Sequence, residues 1–190
     1  MHYPGFVNER TRLAIMEDPL VLDVLPLRLL GGLTAADLWP TMNVCMLGWL
    51  LLAVAPRWKY TSTLTILPPL LHSAIYLLTM GSLILDDAER TLGADFTTLE
   101  GVATIFQQNH NAVFVGWFHY LAFDLLIGRT ICEDSIRRGA SWKGHVLFVI
   151  PCLLFTFMLG PIGWISYIAL SPLILGSSMQ SSNTTKTKNN

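Results

Sequence analysis

The chain has 190 residues, of which 52% are apolar and only 13% charged, and its formal net charge is −1. A soluble domain usually carries about a quarter charged residues, and a nucleic-acid binder a clear basic excess, so both classes are disfavoured. Cys45, Cys132 and Cys152 stand far apart without a CxxC pair, which points to neither a disulfide framework nor a cysteine-based zinc site.

Along the chain, Glu9, Glu17 and Asp18 interrupt any early apolar run. The first residues therefore read as a retained tail rather than a secretory signal or an acid-poor transit peptide. Asp18-Pro19 resembles an N-cap with proline at the first helical position. It would open an amphipathic helix over Leu20 to Leu33, lying along the bilayer surface.

Four apolar runs follow: Leu38 to Ala55, Thr61 to Leu85, Ala112 to Ile131, and one that starts at Val146 and continues uncharged to the tail. A hydrocarbon core of about 30 Å needs roughly 20 helical residues, which the first three supply. The fourth is too long for one perpendicular helix, and Gly160-Pro161-Ile162-Gly163 is where it is expected to tilt or break. Between runs two and three, Thr97-Thr98-Leu99-Glu100 has the form of a capping box. Phe96, Leu99, Val102, Ile105 and Phe106 around it fall on one side of a second surface helix. The fold class is thus an all-α integral membrane bundle of about four transmembrane helices with one or two short interfacial helices. Residues 1–37 form an N-terminal tail, 38–175 the transmembrane domain, and 176–190 a polar tail too simple in composition to order.

Loop charges give the orientation. Arg57 and Lys59 in the first loop, and Arg129, Arg137, Arg138 and Lys143 against Glu133 and Asp134 around the third, oppose Asp86, Asp87, Glu89, Asp95 and Glu100 against Arg90 alone in the second. Loops one and three should face the cytoplasm or its organellar equivalent, with both termini on the other side.

An ionisable or strongly polar group in a spanning helix is a functional candidate by default, because lipid penalises it. At 1.5 Å per residue from the basic-loop end, Asn43 lies at about 19 Å, His72 at about 16 Å, His119 at about 18 Å and Thr156 at about 17 Å. One polar group from each helix is thereby offered to a middle layer. Asp124 lies lower, at about 10 Å, level with Cys152. Tyr120 and Asp124 are four apart, as are His72 and Tyr76, so each pair shares a helix face, and Trp117 joins the former. Asp124, His119 and His72 are the candidates for proton transfer, and Trp117, Tyr120, Tyr76 and Asn43 for holding an apolar ligand. The structural alternative is that these groups tie helices together. Arg129 is expected to anchor at the interface or pair with Glu133. His72, His119 and Asp124 are suitable metal-ligand types, but no local motif supports a metal site, and none is assigned.

At the third run, Val115-Gly116-Trp117-Phe118-His119-Tyr120-Leu121-Ala122-Phe123-Asp124-Leu125-Leu126-Ile127-Gly128-Arg129 resembles the signature of the abscisic-acid-deficient-four family. Asn43, Trp49 and Pro56 match that family's first span, and Pro69, His72 and Tyr76 its second. Pro151-Cys152-Leu153, Thr156-Phe157 and Gly160-Pro161-Ile162-Gly163 match its fourth. The resemblance implies a four-helix membrane protein whose plant relative makes neoxanthin, located in a plastid membrane if the source is a photosynthetic eukaryote. It further implies a carotenoid or related apolar lipid as ligand, isomerised from epoxide to allene without a redox cofactor, among membrane lipids and no nucleic acid. Self-association is left open. A lipid- or pigment-binding scaffold without catalysis is the second reading. A transporter is disfavoured because the chain shows no internal repeat.

Overall fold

The structure, a computed structural model, describes residues 26–86, 95–108 and 110–175. Every regular element among them is a helix. The helices are α1 (Ala35–Leu38), α2 (Asn43–Val54), α3 (Thr61–Leu64), α4 (Leu67–Asp86), α5 (Leu99–Gln108), α6 (His110–Arg137), α7 (Trp142–Gly144), α8 (Ile150–Leu159) and α9 (Pro161–Ile174). Four stretches are long and apolar enough to cross a bilayer: Ala35–Val54, Thr61–Asp86, Asn111–Arg137 and Trp142–Leu159. They coincide with the four expected runs. The polar tail 176–190 and the start of the expected helix Leu20 to Leu33 lie outside the described residues, as do Asp87 and Glu89 of the second loop.

The described residues form two compact units, one holding the chain up to Trp39 with Leu78–Gly116, the other Pro40–Leu77 with Trp117 onward. In the first, the expected helix does not continue through Leu33. A 3-10 turn at Arg28–Leu30 is instead closed by an isolated bridge between Leu27 and Leu33. Gly31 and Gly32, at φ 69° and 86°, reverse the chain in a region closed to most side chains. The turn is fastened to α4, where Leu29 N–H donates to Ser82 Oγ at 2.9 Å. Thr34 then caps α1 reciprocally with Asp37, and Pro40, which lacks an N–H, falls in the 3-10 stretch Trp39–Met42.

The cap of α5 falls one residue later than the sequence pattern suggests. Thr98 Oγ1 accepts from Gly101 N–H at 3.1 Å, and Asp95 organises the turn by accepting from the hydroxyls of Thr97 and Thr98, both at 2.7 Å. Gly101 is needed because a side chain there would run into the Asp95 carbonyl. On the apolar side of α5, Leu99 is 88% exposed, Val102 and Ile105 are half-buried, and the Phe106 ring lies against Gly116. Hydrogen bonds from Thr97, then Thr98, hold the Asp95 carboxyl down at about 2. A folded-state value below the ordinary one stabilises above the ordinary carboxylate range and is lost as pH falls toward about 2. The protection of the Gly101 amide, the intrinsic exchange rate divided by the observed one at each pH, should therefore be constant down to mildly acidic pH and fall as Asp95 protonates.

In the second unit, partner contacts give each helix its direction. Cys45 Sγ meets Leu121 O at 3.9 Å and Cys132 Sγ meets Leu52 O at 3.8 Å, so α2 and α6 run parallel. The span containing α3 and α4 runs against α6, from Ser62 beside Glu133 to His72 beside Phe118. The fourth span runs against α2, from His145 beside Ala53 to Phe157 beside Trp49. This is the alternating topology that four crossings require. Lipid is as apolar as the helix surfaces, so close approach rather than hydrophobic burial holds such helices together. Gly128 permits it: a Cβ there would lie 2.6 Å from the Trp49 ring.

The fourth run breaks where proline and glycine indicated. It starts at Trp142, passes through a π-helical turn at His145–Val149 just before Pro151, and ends at Gly160, whose φ of 52° and ψ of −104° no α-helix accommodates. From there α9 folds back along α8. Gly163 lies against Cys152 and Thr156, Tyr167 stacks on Phe148 at 5.7 Å, and Leu175 reaches Gly144. The described chain thus ends on the side of the third loop. This corrects the expectation that the C-terminal end faces the opposite side, because the sequence pattern counted the break as a bend and not a reversal. Tyr167 fastens the return by donating to Asp134 Oδ2 at 2.8 Å. Tyr167→Phe should lower stability by about 1 kcal/mol, measured as a shift in thermal unfolding of the detergent-solubilised protein.

Candidate functional site

Helix α6 runs to Arg137, beyond the apolar run that ended at Ile131. Its last turns carry Arg129 paired with Glu133 at 3.0 Å and Arg138 with Asp134 at 2.6 Å, contacts that support helical geometry outside the apolar layer. Arg129 Nη2 also donates to Ser62 Oγ at 2.7 Å, fixing the start of the second span to α6. Asp124 consequently lies about 20 Å from the end of its helix. It sits beside the break and not beside Cys152: a Cβ on Gly160 would be 3.4 Å from Asp124 Oδ1. Its carboxylate, half-buried, has no hydrogen-bond or ion-pair partner among the described residues.

The middle layer divides into an inside and an outside. His72 is fully buried, its ring 4.8 Å from that of Phe118 and its Nδ1 3.5 Å from Cys45 Sγ. Nδ1 lies 2.7 Å from the Pro68 carbonyl, which only accepts, so that nitrogen carries the hydrogen. Nε2 closes no hydrogen bond among the described residues. Thr156, also fully buried, donates to Cys152 O at 2.8 Å and is covered by Gly163. It therefore closes the hairpin and offers nothing to a ligand.

His119 faces outward. Its ring stacks on Phe123 at 4.6 Å and lies 5.8 Å from Tyr76 and 6.0 Å from Tyr120. Tyr120 is 63% exposed and Trp117 48%, and Asn43 is exposed at the start of α2. In a spanning bundle this exposed face meets acyl chains. An imidazole ringed by aromatics there offers a proton donor and acceptor to a molecule dissolved in the bilayer.

Tyr76, His119 and Tyr120 are therefore brought together, with Phe123 added. His72, His119 and Asp124 share no hydrogen bond, ion pair or ring contact with one another among the described residues. Two features of this region were not anticipated from the sequence. Cys45 and Phe118 enclose His72, although neither side chain advertises chemistry by type. His145, buried and stacked on Trp142 at 5.5 Å, holds Ala53 O at 3.1 Å. It stands one residue before the apolar run, where it reads as loop, and the π-helical turn that contains it has no residue-type signature. No group of three or more His, Cys, Asp and Glu among the described residues has the geometry of a metal site.

Comparison with known proteins gives one match. The profile of the ABA DEFICIENT 4-like family covers residues 38–167, a range that includes α2, the patch around His119, Asp124 and the hairpin as far as Tyr167. No curated protein and no solved structure matches the chain.

Proposed function

The chain belongs to the ABA DEFICIENT 4-like family, and on that premise we propose that it takes an apolar lipid of the epoxy-carotenoid kind from the bilayer and isomerises it. The observation that carries this reading is the cluster of exposed His119, Phe123 and Tyr120 with the half-buried Tyr76 on the face of membrane-spanning helices. An ionisable ring directed to lipid is energetically costly, which marks it as a functional candidate. Aromatic rings are suitable walls for a polyene, and Trp117 extends that face.

The chemistry balances without a redox partner. An acid protonates the epoxide oxygen as its C–O bond opens to a hydroxyl, and a base removes a proton from the adjoining polyene carbon, leaving an allene. His119 is the group in direct reach of a lipid-borne substrate, and Asp124 is a carboxyl group on the same helix. His72 is sealed in the interior and is assigned to positioning α4 against α6. In a photosynthetic eukaryote the site of action would be a plastid membrane.

A binding protein without catalysis is the second reading, favoured by the separation of His119 from Asp124, five residues and more than one helix face apart. Expression in cells that accumulate violaxanthin separates the two. Allenic product made by the wild type and lost in His119→Ala and Asp124→Asn supports catalysis. Unchanged pigment with normal insertion leaves only binding.

A further inference from the structure

The basic-loop end of the second unit carries charges that the reaction does not use. The first loop with the end of α2, Ala53 to Tyr60, and the third loop with the turn that follows it, Arg138 to His145, are drawn together by two contacts. Arg57 Nη2 donates to the Ala140 carbonyl, and His145 Nε2 lies 3.1 Å from Ala53 O. The acids at this end are already neutralised: Glu133 by Arg129 at 3.0 Å, and Asp134 by Arg138 at 2.6 Å with Arg137 at 3.6 Å. Among the described residues, Arg57, Lys59 and Lys143 have no carboxylate within ion-pair distance. Trp58, Tyr60 and Trp142 flank these cations, each about half exposed, and Lys59 Nζ sits 4.6 Å over the Tyr60 ring.

Exposed indole and phenol rings at the ends of membrane spans belong at the headgroup level, and cations beside them meet the phosphate layer. We infer that loops one and three together form a binding surface for the headgroups of anionic phospholipids in the adjoining leaflet. The bilayer is the partner that these residues necessarily adjoin, since they begin and end spans. An acidic protein segment would require the same charges without needing the flanking rings.

The test reconstitutes the full chain in bilayers of phosphatidylcholine mixed with phosphatidylglycerol, releases it gently into detergent, and identifies retained lipids by native mass spectrometry. The wild type should retain phosphatidylglycerol above its share of the bilayer. The Lys59→Gln, Lys143→Gln double variant should lose that preference by about fivefold per cation removed, whereas Lys59→Arg with Lys143→Arg should keep it. Retention by the wild type in the bulk lipid ratio, as an acidic protein partner would leave it, overturns the inference. So does an undiminished preference in the glutamine variant.

Discussion

Gly163→Val is expected to prevent the helical hairpin from closing. A Cβ at this position would run into the backbone nitrogen and hydroxyl of Thr156 and the carbonyl of Cys152. Neither backbone atom can swing aside as the end of a flexible side chain can. Overpacking a core commonly costs about 1–3 kcal/mol, and a clash with main-chain atoms at two sites belongs at or above the top of that range. The damage should spread, because α9 is held to the bundle by Tyr167 on Asp134 and Phe148, and its end lies against Gly144. Thermal unfolding in detergent should show a large drop in midpoint or little monodisperse protein. Leu173→Ala, at an exposed position of the same helix, should remain close to wild type. A Gly163→Val protein as stable as wild type would mean that α9 does not return along α8.

His119→Leu and His72→Leu are expected to fail in opposite ways. The first removes the imidazole from an exposed aromatic patch where leucine is at home in lipid, so stability should hold. Conversion of an epoxy-carotenoid should then fall by about 10²-fold or more, the usual contribution of a positioned acid or base. The second leaves the patch intact but removes the hydrogen bond to Pro68 O and the contacts with Cys45 and Phe118. Thermal stability should drop by about 1–3 kcal/mol for the lost buried polar contacts, with conversion per folded molecule largely preserved. Paired measurements of unfolding and of product per folded protein separate the two roles. The same losses in both variants would remove the distinction between an outer and an inner histidine.

The spans were legible because lipid imposes a length and bars charge, and both are read directly from residue order. The chain reversal at Gly160 was legible as a break but not in direction. Proline and glycine announce the loss of helical hydrogen bonds, while the return depends on Gly163 fitting against Thr156. The 3-10 turn before Thr34 was misjudged for a related reason. Amphipathic spacing suggested helix, but Gly31-Gly32 permit a reversal that hydrophobic periodicity does not report. In the candidate site, spacing paired His72 with Tyr76 on one helix face, but it could not tell which side pointed inward: His72 is buried against Phe118, while the Tyr76 ring meets the outward His119. His72 and His119 were assigned similar depths; burial then separates them, 0% exposed against outward-facing. Asp124 was placed level with Cys152 by counting residues along separate helices, whereas it lies beside Gly160.

The claim on which the functional account rests is that the face around His119 receives an apolar ligand from the bilayer. It is tested most directly by purifying wild type and a Tyr76→Leu, His119→Leu variant from violaxanthin-rich membranes and measuring carotenoid bound per protein by absorbance. The wild type should carry pigment and the equally stable variant should lose most of it. Equal pigment on both proteins would contradict the account, as would a folded wild type that carries none.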